Sequence, residues 1–165
     1  QQRLPIRLHV VGQQFRSSPE EFQKIHGLLQ QHASALSIDP GNFGFIEDRE
    51  QYTKLLRRCD VVLSTALHDF QGLSLQEACA LGCTPLAPNK LVYPEYLESQ
   101  FLYNFDAKNS DQKNCQAVLA PLKAWQQLQD NNTALPKINL DEYSQGKLRP
   151  EYARLFDKLV NAREA

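Results

Sequence analysis

The sequence predicts an α/β fold, a parallel sheet with helices on both faces, and three observations carry that prediction. Short apolar runs at 5–11, 42–46, 61–64 and 84–87 have strand length and are bounded by turn residues. Stretches with apolar residues at helical spacing lie between them on short connections. Strands alternating with helices in this way make parallel sheets with right-handed crossovers. The length of 165 residues, with 42% hydrophobic and 22% charged side chains, suits one soluble domain with a core of its own, 1–165.

The first strand, PIRLHVV at 5–11, ends at Gly12. Ser18, Pro19 and Glu21 then supply an N-cap, a proline at the first helical position and a capping-box glutamate. The helix they open carries Phe22, Ile25, Leu28, Leu29, Ala33 and Leu36 on one face, and Asp39-Pro40-Gly41 stops it. NFGFI at 42–46 is the second strand. Asp48 with Gln51 forms another capping box, leading into a helix with Tyr52, Leu55, Leu56 and Cys59 along one side. Strand 61–64, helix 73–82 and strand 84–87 follow. Residues 89–99 read as a loop with one helical turn at Pro94, and 101–103 as an edge strand. A further helix begins near Ser110, with Cys115, Val118, Leu122 and Trp125 inward and a kink or break at Pro121. Residues 130–139 form a polar connector, and Pro150 opens a closing helix within 143–165 that turns Tyr152, Leu155, Phe156 and Leu159 inward.

Bulk properties exclude several functions. A net charge of −1 lacks the basic surplus of a segment that grips nucleic-acid phosphates. No apolar run is long enough to span a bilayer and no signal peptide is visible, which predicts a cytoplasmic protein without a membrane partner. The four cysteines lack zinc-ligand spacing and read as small apolar residues, so no metal site is expected. No G-x-G-x-x-G follows a strand, which argues against a dinucleotide-dependent oxidoreductase. A receiver-type signalling domain would want an acidic cluster at its first strand ends, and none is visible.

Chemistry concentrates in DVVLSTALHDFQGLSLQEACALGCTPLAP, residues 60–88. In open α/β sheets ligands bind beyond the carboxyl ends of the strands, where the 65–72 loop lies. Gly72 permits a tight turn and close approach, and the free amides of Leu73 and Ser74 would open the next helix toward a diphosphate. Glu77 can accept both hydroxyls of a ribose with its two carboxylate oxygens, while Asp69, before the glycine, can accept hydroxyls of whatever the diphosphate carries. A turn aspartate and a first-turn charge on the helix dipole account for the same two carboxylates without any ligand.

The segment D-F-Q-G-L-S-L-Q-E resembles the Glu-x7-Glu motif of retaining nucleotide-sugar glycosyltransferases of the GT-B fold, and ACALGCTPLAP is similar to the sequence that follows that motif. More narrowly, residues 60–97, through L-V-Y-P-E, together with LHVVGQQFRSSPEEF, resemble the tRNA-queuosine mannosyltransferase group. The resemblance covers 8–97 well. It implies a Rossmann-like donor-binding domain, the C-terminal half of a GT-B enzyme, with GDP-mannose as donor substrate, no cofactor and no metal. It also implies a partner N-terminal domain of the same chain, through which tRNA would be bound. Position by position, Glu77 becomes the ribose ligand, Gly72, Leu73 and Ser74 the diphosphate cradle, and Asp69 the contact to the donor hexose. His68 lines the donor site, Gly12 is a close-approach glycine, and Phe45 and Ile46 pass the nucleobase. Buried strand ends account for the last three positions equally well, and a surface loop for His68.

Two departures stand out. Asp69 replaces the usual glutamate and is one methylene shorter. The Arg and Lys that the resemblance places early in such domains are not matched, and Arg16 lies in a loop outside that motif. The start, QQRLPIRLHVVG, reads as a helix tail entering an interior strand, and the sequence contains no Met, so the first strand and helix of the domain are expected to be missing. The chain alone is then expected to transfer no sugar. The alternative is a non-catalytic nucleotide-binding or interaction domain of the same fold.

Overall fold

The computed structural model describes residues 5–12 and 20–162, with side chains in the first helix from residue 24 onward. It is α/β with parallel strands, as the sequence predicts, and divides into two compact units, Gln1–Leu55 and Leu56–Ala165.

In the first unit β1 (Val10–Val11) pairs in parallel with β2 (Phe43–Gly44), Val10 opposite Phe43 and Val11 opposite Gly44. Only residues 10–11 of the expected strand 5–11 and 43–44 of the expected strand 42–46 pair. Their backbones meet closely just before that point, since a Cβ on Gly41 would overlap the Leu8 carbonyl. His9 Nδ1 accepts the Asn42 amide at 2.9 Å and ties the two segments together. Helix α1 (Glu20–Leu36) covers the pair, with the His26 ring stacked on Phe43 at 4.4 Å between centroids. Ala33 is buried, but Leu28 remains 63% exposed: a two-stranded ribbon is too narrow to cover the whole apolar stripe. The Ser18-Pro19-Glu21 start signal and Phe22 lie outside the described residues or side chains. Asp48 caps α2 (Arg49–Leu56) as read, its Oδ1 accepting the amides of Glu50 and Gln51 at 2.7 and 3.0 Å.

The second unit is built on β3 (Val61–Leu63), β4 (Thr84–Pro88) and β5 (Leu102–Tyr103), all parallel in the order β3-β4-β5. The central strand is buried throughout, yet its sequence is T-P-L-A-P. Proline cannot donate to a ladder, so its place must be one that no neighbour reaches. Thr84 and Leu86 bond toward β3, through Thr84 N to Asp60 O (2.8 Å) and Ser64 N to Leu86 O (2.9 Å). Pro85 therefore faces the β5 side, and β5 begins only opposite Ala87. Pro88 faces the β3 side beyond the last β3 pairing, Leu63 with Leu86.

Leu75, Leu86, Ala87, Tyr93, Leu97, Phe101, Tyr103, Trp125 and Leu135 make the core. Helix α3 (Leu73–Ala80) contributes Leu75, and α4 (Asp111–Asp130) contributes Trp125, with Val118, Leu122 and Leu128 against it. Several sequence expectations need correction here. Of the kink or break expected at Pro121 the break does not occur: helix α4 runs through the proline, because tertiary packing on both sides outweighs one lost backbone bond, and Cys115 is exposed rather than inward. The 130–139 connector is partly core: Leu135 is buried, and Thr84 Oγ1 donates to Pro136 O at 2.8 Å. Helix α5 (Gln145–Asn161) starts before Pro150 and leaves Tyr152, Leu155, Phe156 and Leu159 each at least 50% exposed. Its packing is on the 3-10 turn Asp141–Tyr143, which covers little of that face. No helix among the described residues is long and apolar enough to cross a membrane.

Candidate functional site

Because the three strands of the second unit are parallel, the 64–72 loop after β3 and the 89–101 segment after β4 leave the same edge of the sheet. That edge holds most of the residues singled out in the sequence.

Gly72 is the N-cap of α3, in the left-handed region at φ 66°, ψ 29°, and is buried. A Cβ there would overlap Tyr96 Oη and stand 3.2 Å from Tyr93 Cε1. Both the dihedral and the space demand glycine. Asp69 shapes the turn ahead of it. Its Oδ1 accepts the amides of Gly72 (2.7 Å) and Gln71 (3.2 Å), and its Oδ2 accepts the Tyr93 hydroxyl at 2.7 Å. Partial burial pushes the Asp69 carboxyl upward, but these three bonds, with the adjacent Phe70 amide, together outweigh it and hold the group below the ordinary carboxylate range. Asp69 is therefore an ionised turn carboxylate at neutral pH. Gln76 Nε2 closes the loop from the helix side by donating to Gln71 O at 2.9 Å.

With Gln71 and Gly72 amides given to Asp69, the next two donors of the helix are those of Leu73 and Ser74. No side chain caps α3, both residues are exposed, and no backbone acceptor among the described residues takes either amide. Such a helix start favours an anion through its oriented N–H groups. Glu77 follows one turn in, half-buried and on the flank of α3 away from the buried Leu75. His68 is exposed in the loop, beside Leu67 and the 93% exposed Phe70. The second unit thus brings Asp69, Gly72, Leu73, Ser74, Glu77 and His68 to one helix start. Gly12, Phe45 and Ile46 belong to the first unit. Gly12 is exposed, with nothing within 4 Å of where a Cβ would stand, Phe45 is 48% exposed, and Ile46 is half-buried in a hollow with Asn42 and Asp48. Arg16 lies outside the described residues.

Four residues of this edge carried no role in the sequence reading: Ser64, Tyr93, Tyr96 and Tyr103. Tyr93 is 1% exposed, and its hydroxyl lies 2.6 Å from Ser64 Oγ as well as on Asp69. Burial first, and then the Asp69 charge, push its pKa up to about 12, so it remains a donor. Tyr103 Oη donates to Ser64 O at 2.9 Å. The signal available was the Tyr-Pro pair in L-V-Y-P-E, an apolar ring with a polar tip fixed beside a strand end, since a buried tyrosine hydroxyl must find a partner.

The cysteines do not form a reactive centre. Cys83 Sγ donates to the carbonyls of Leu56 (3.3 Å) and Cys59 (3.4 Å), and burial pushes the thiols of Cys79 and Cys83 up to about 12 and about 11. Among the described residues no three His, Cys, Asp or Glu side chains are grouped to hold a metal ion.

No family model matches the chain, and no solved structure matches it. In sequence it is 34% identical over 160 residues to the tRNA-queuosine alpha-mannosyltransferase of Drosophila melanogaster, an alignment that covers 97% of this chain and 39% of that protein. The chain spans about two fifths of the length of that relative.

Proposed function

From its relationship in sequence to a glycosyltransferase, we propose that this chain is the donor-binding part of an enzyme that moves a hexose from a nucleoside diphosphate sugar to an acceptor. GDP-mannose is the donor we propose, and queuosine in tRNA the acceptor, following the name of the relative. The observation that carries this reading is the helix start at Leu73 and Ser74: the amides of two exposed residues, with no side-chain cap, at the carboxyl edge of a parallel sheet beside a glycine turn.

On this reading the amides of Leu73 and Ser74 hold the diphosphate and Glu77 holds the ribose. Asp69 has one acceptor position left on Oδ2, since each carboxylate oxygen takes about two hydrogen bonds and Oδ1 already accepts two. That position meets a hexose hydroxyl. As the bond to the sugar breaks, negative charge grows on the diphosphate in front of amides that are already oriented, the kind of electrostatic stabilisation that needs no rearrangement during the reaction. His68 lines the donor site. A GT-B architecture, retention at the anomeric carbon, an N-terminal acceptor domain and a cytoplasmic setting belong to the same proposal.

The engagement of Asp69 by three protein donors also favours a second reading, a nucleotide-binding domain without transfer chemistry. A thermal-shift panel on the intact protein, with GDP, UDP, ADP and their sugars, tests the first part of both. A ligand at 100 times its Kd stabilises the native state by about 2.7 kcal/mol, several degrees in Tm for a domain of this size. We expect the GDP compounds to give the largest shift. A panel in which no nucleotide raises Tm contradicts both readings, and binding of GDP-mannose without release of GDP in the presence of acceptor tRNA supports the second.

A further inference from the structure

Tyr93 stands behind Asp69 in a way that fixes the direction of every proton between them. An ionised carboxylate only accepts, and a tyrosine hydroxyl has one proton to give. That proton goes to Asp69 Oδ2 at 2.7 Å, so at the 2.6 Å contact between Ser64 Oγ and Tyr93 Oη the serine must be the donor. Ser64 Oγ in turn accepts the Ala66 amide at 3.3 Å. Three donors in series thus point toward one carboxylate oxygen, and hydrogen bonds aligned in series strengthen one another.

The far end of this series is anchored in the sheet. Ser64 N donates to Leu86 O at 2.9 Å and Ser64 O accepts Tyr103 Oη at 2.9 Å, while Tyr93 and Tyr103 are both core residues. The position of Oδ2 is therefore set by the packed interior, although Asp69 itself belongs to a partly exposed loop.

We infer that Tyr93 is a positioning residue: its hydroxyl, held by Ser64, aims the remaining acceptor position of Asp69 Oδ2 at a single hydroxyl of the donor sugar. The inference rests on the donor-binding reading and adds to it the source of discrimination between a nucleoside diphosphate and its sugar conjugate. The diphosphate and nucleoside meet the Leu73 and Ser74 amides and Glu77, whereas the sugar meets Asp69, the group to which Tyr93 gives its one hydroxyl proton.

The test is calorimetric titration of the intact protein and its Tyr93→Phe variant with GDP and with GDP-mannose, accompanied by steady-state kinetics. The phenylalanine keeps the ring in the core and removes only the hydroxyl. Expected are a GDP affinity within twofold of the original, a loss of about tenfold in the preference for GDP-mannose over GDP, and a fall in kcat exceeding the change in KM. Asp69→Asn should show the same pattern, and the double variant no further loss. Ser64→Ala, which leaves the tyrosine in place, should lose about threefold in the same preference and serves if the phenylalanine variant does not fold. Equal weakening of both ligands, or an unchanged preference in Tyr93→Phe and Ser64→Ala alike, overturns the inference while leaving nucleotide binding standing. Failure of the unmodified protein to bind either compound overturns the donor-binding reading, and this inference with it.

Discussion

Glu77→Ala in the intact protein should lower kcat/KM for sugar transfer by at least about 100-fold, with loss of affinity for the nucleoside diphosphate itself. The expectation follows from two charge-assisted hydrogen bonds to adjacent ribose hydroxyls, each worth about 1.5–3 kcal/mol, so that their joint loss amounts to two to four powers of ten. Glu77→Gln keeps one acceptor oxygen and should fall between. Glu77 lies on the side of α3 away from Leu75, and a circular dichroism spectrum of the variant checks that the fold is kept. A Glu77→Ala protein that keeps both its affinity and its transfer rate would remove Glu77 from the site.

The second large effect is on stability. Gly72→Ala places a Cβ in a left-handed conformation and drives it into Tyr96 Oη, with Tyr93 Cε1 only 3.2 Å away. The dihedral alone costs about 1–2 kcal/mol, and crowding a packed interior costs about 1–3 kcal/mol more. Tyr93 is 1% exposed and bonded at its tip to Ser64 and Asp69, so it cannot swing aside. A loss of about 2–5 kcal/mol in urea unfolding is expected. Gly146→Ala is the matched control. Gly146 lies within α5, has no positive φ and has nothing within 4 Å of its Cβ position, so alanine there should be neutral or stabilising by up to about 1 kcal/mol. Similar behaviour of the two variants would show that the turn at Gly72 is not the constraint described.

The parts of the fold that the sequence made legible are those governed by local rules. Asp48 caps α2 because a carboxylate two or three residues ahead of free amides has few alternatives, and β3, α3 and β4 lie within two residues of their expected bounds. The failures are tertiary. Periodicity marks the apolar stripe of α5, but whether a partner element covers it depends on packing that periodicity does not encode, and Tyr152, Leu155, Phe156 and Leu159 are left exposed. Pro121 is a strong breaker taken alone, yet Trp125 after it and Val118 before it both pack on the core and hold the helix continuous. Leu135 looked like part of a polar connector because Asn131, Asn132, Thr133 and Lys137 set the character of the segment, whereas Leu135, Ile138 and the Thr84 bond to Pro136 O pin it to the core.

The candidate site divides in the same way. Gly72 was readable because one residue type satisfies a left-handed cap at a close approach. The turn-forming role of Asp69 was readable, and the structure shows its carboxylate accepting the Gly72 and Gln71 amides and the Tyr93 hydroxyl. Tyr93 was not readable as part of the site, because it lies 24 positions beyond Asp69 and meets it only through the parallel arrangement of β3 and β4.

The proposed donor binding at this edge depends on the amides of Leu73 and Ser74 receiving the phosphates. Amide-resolved NMR of the intact, isotope-labelled protein, titrated with GDP and separately with guanosine, reads that contact directly. GDP should shift the Leu73 and Ser74 resonances strongly, and guanosine, lacking the phosphates, should leave them nearly unmoved. Saturating GDP binding with those two amides unshifted would contradict the proposed donor site.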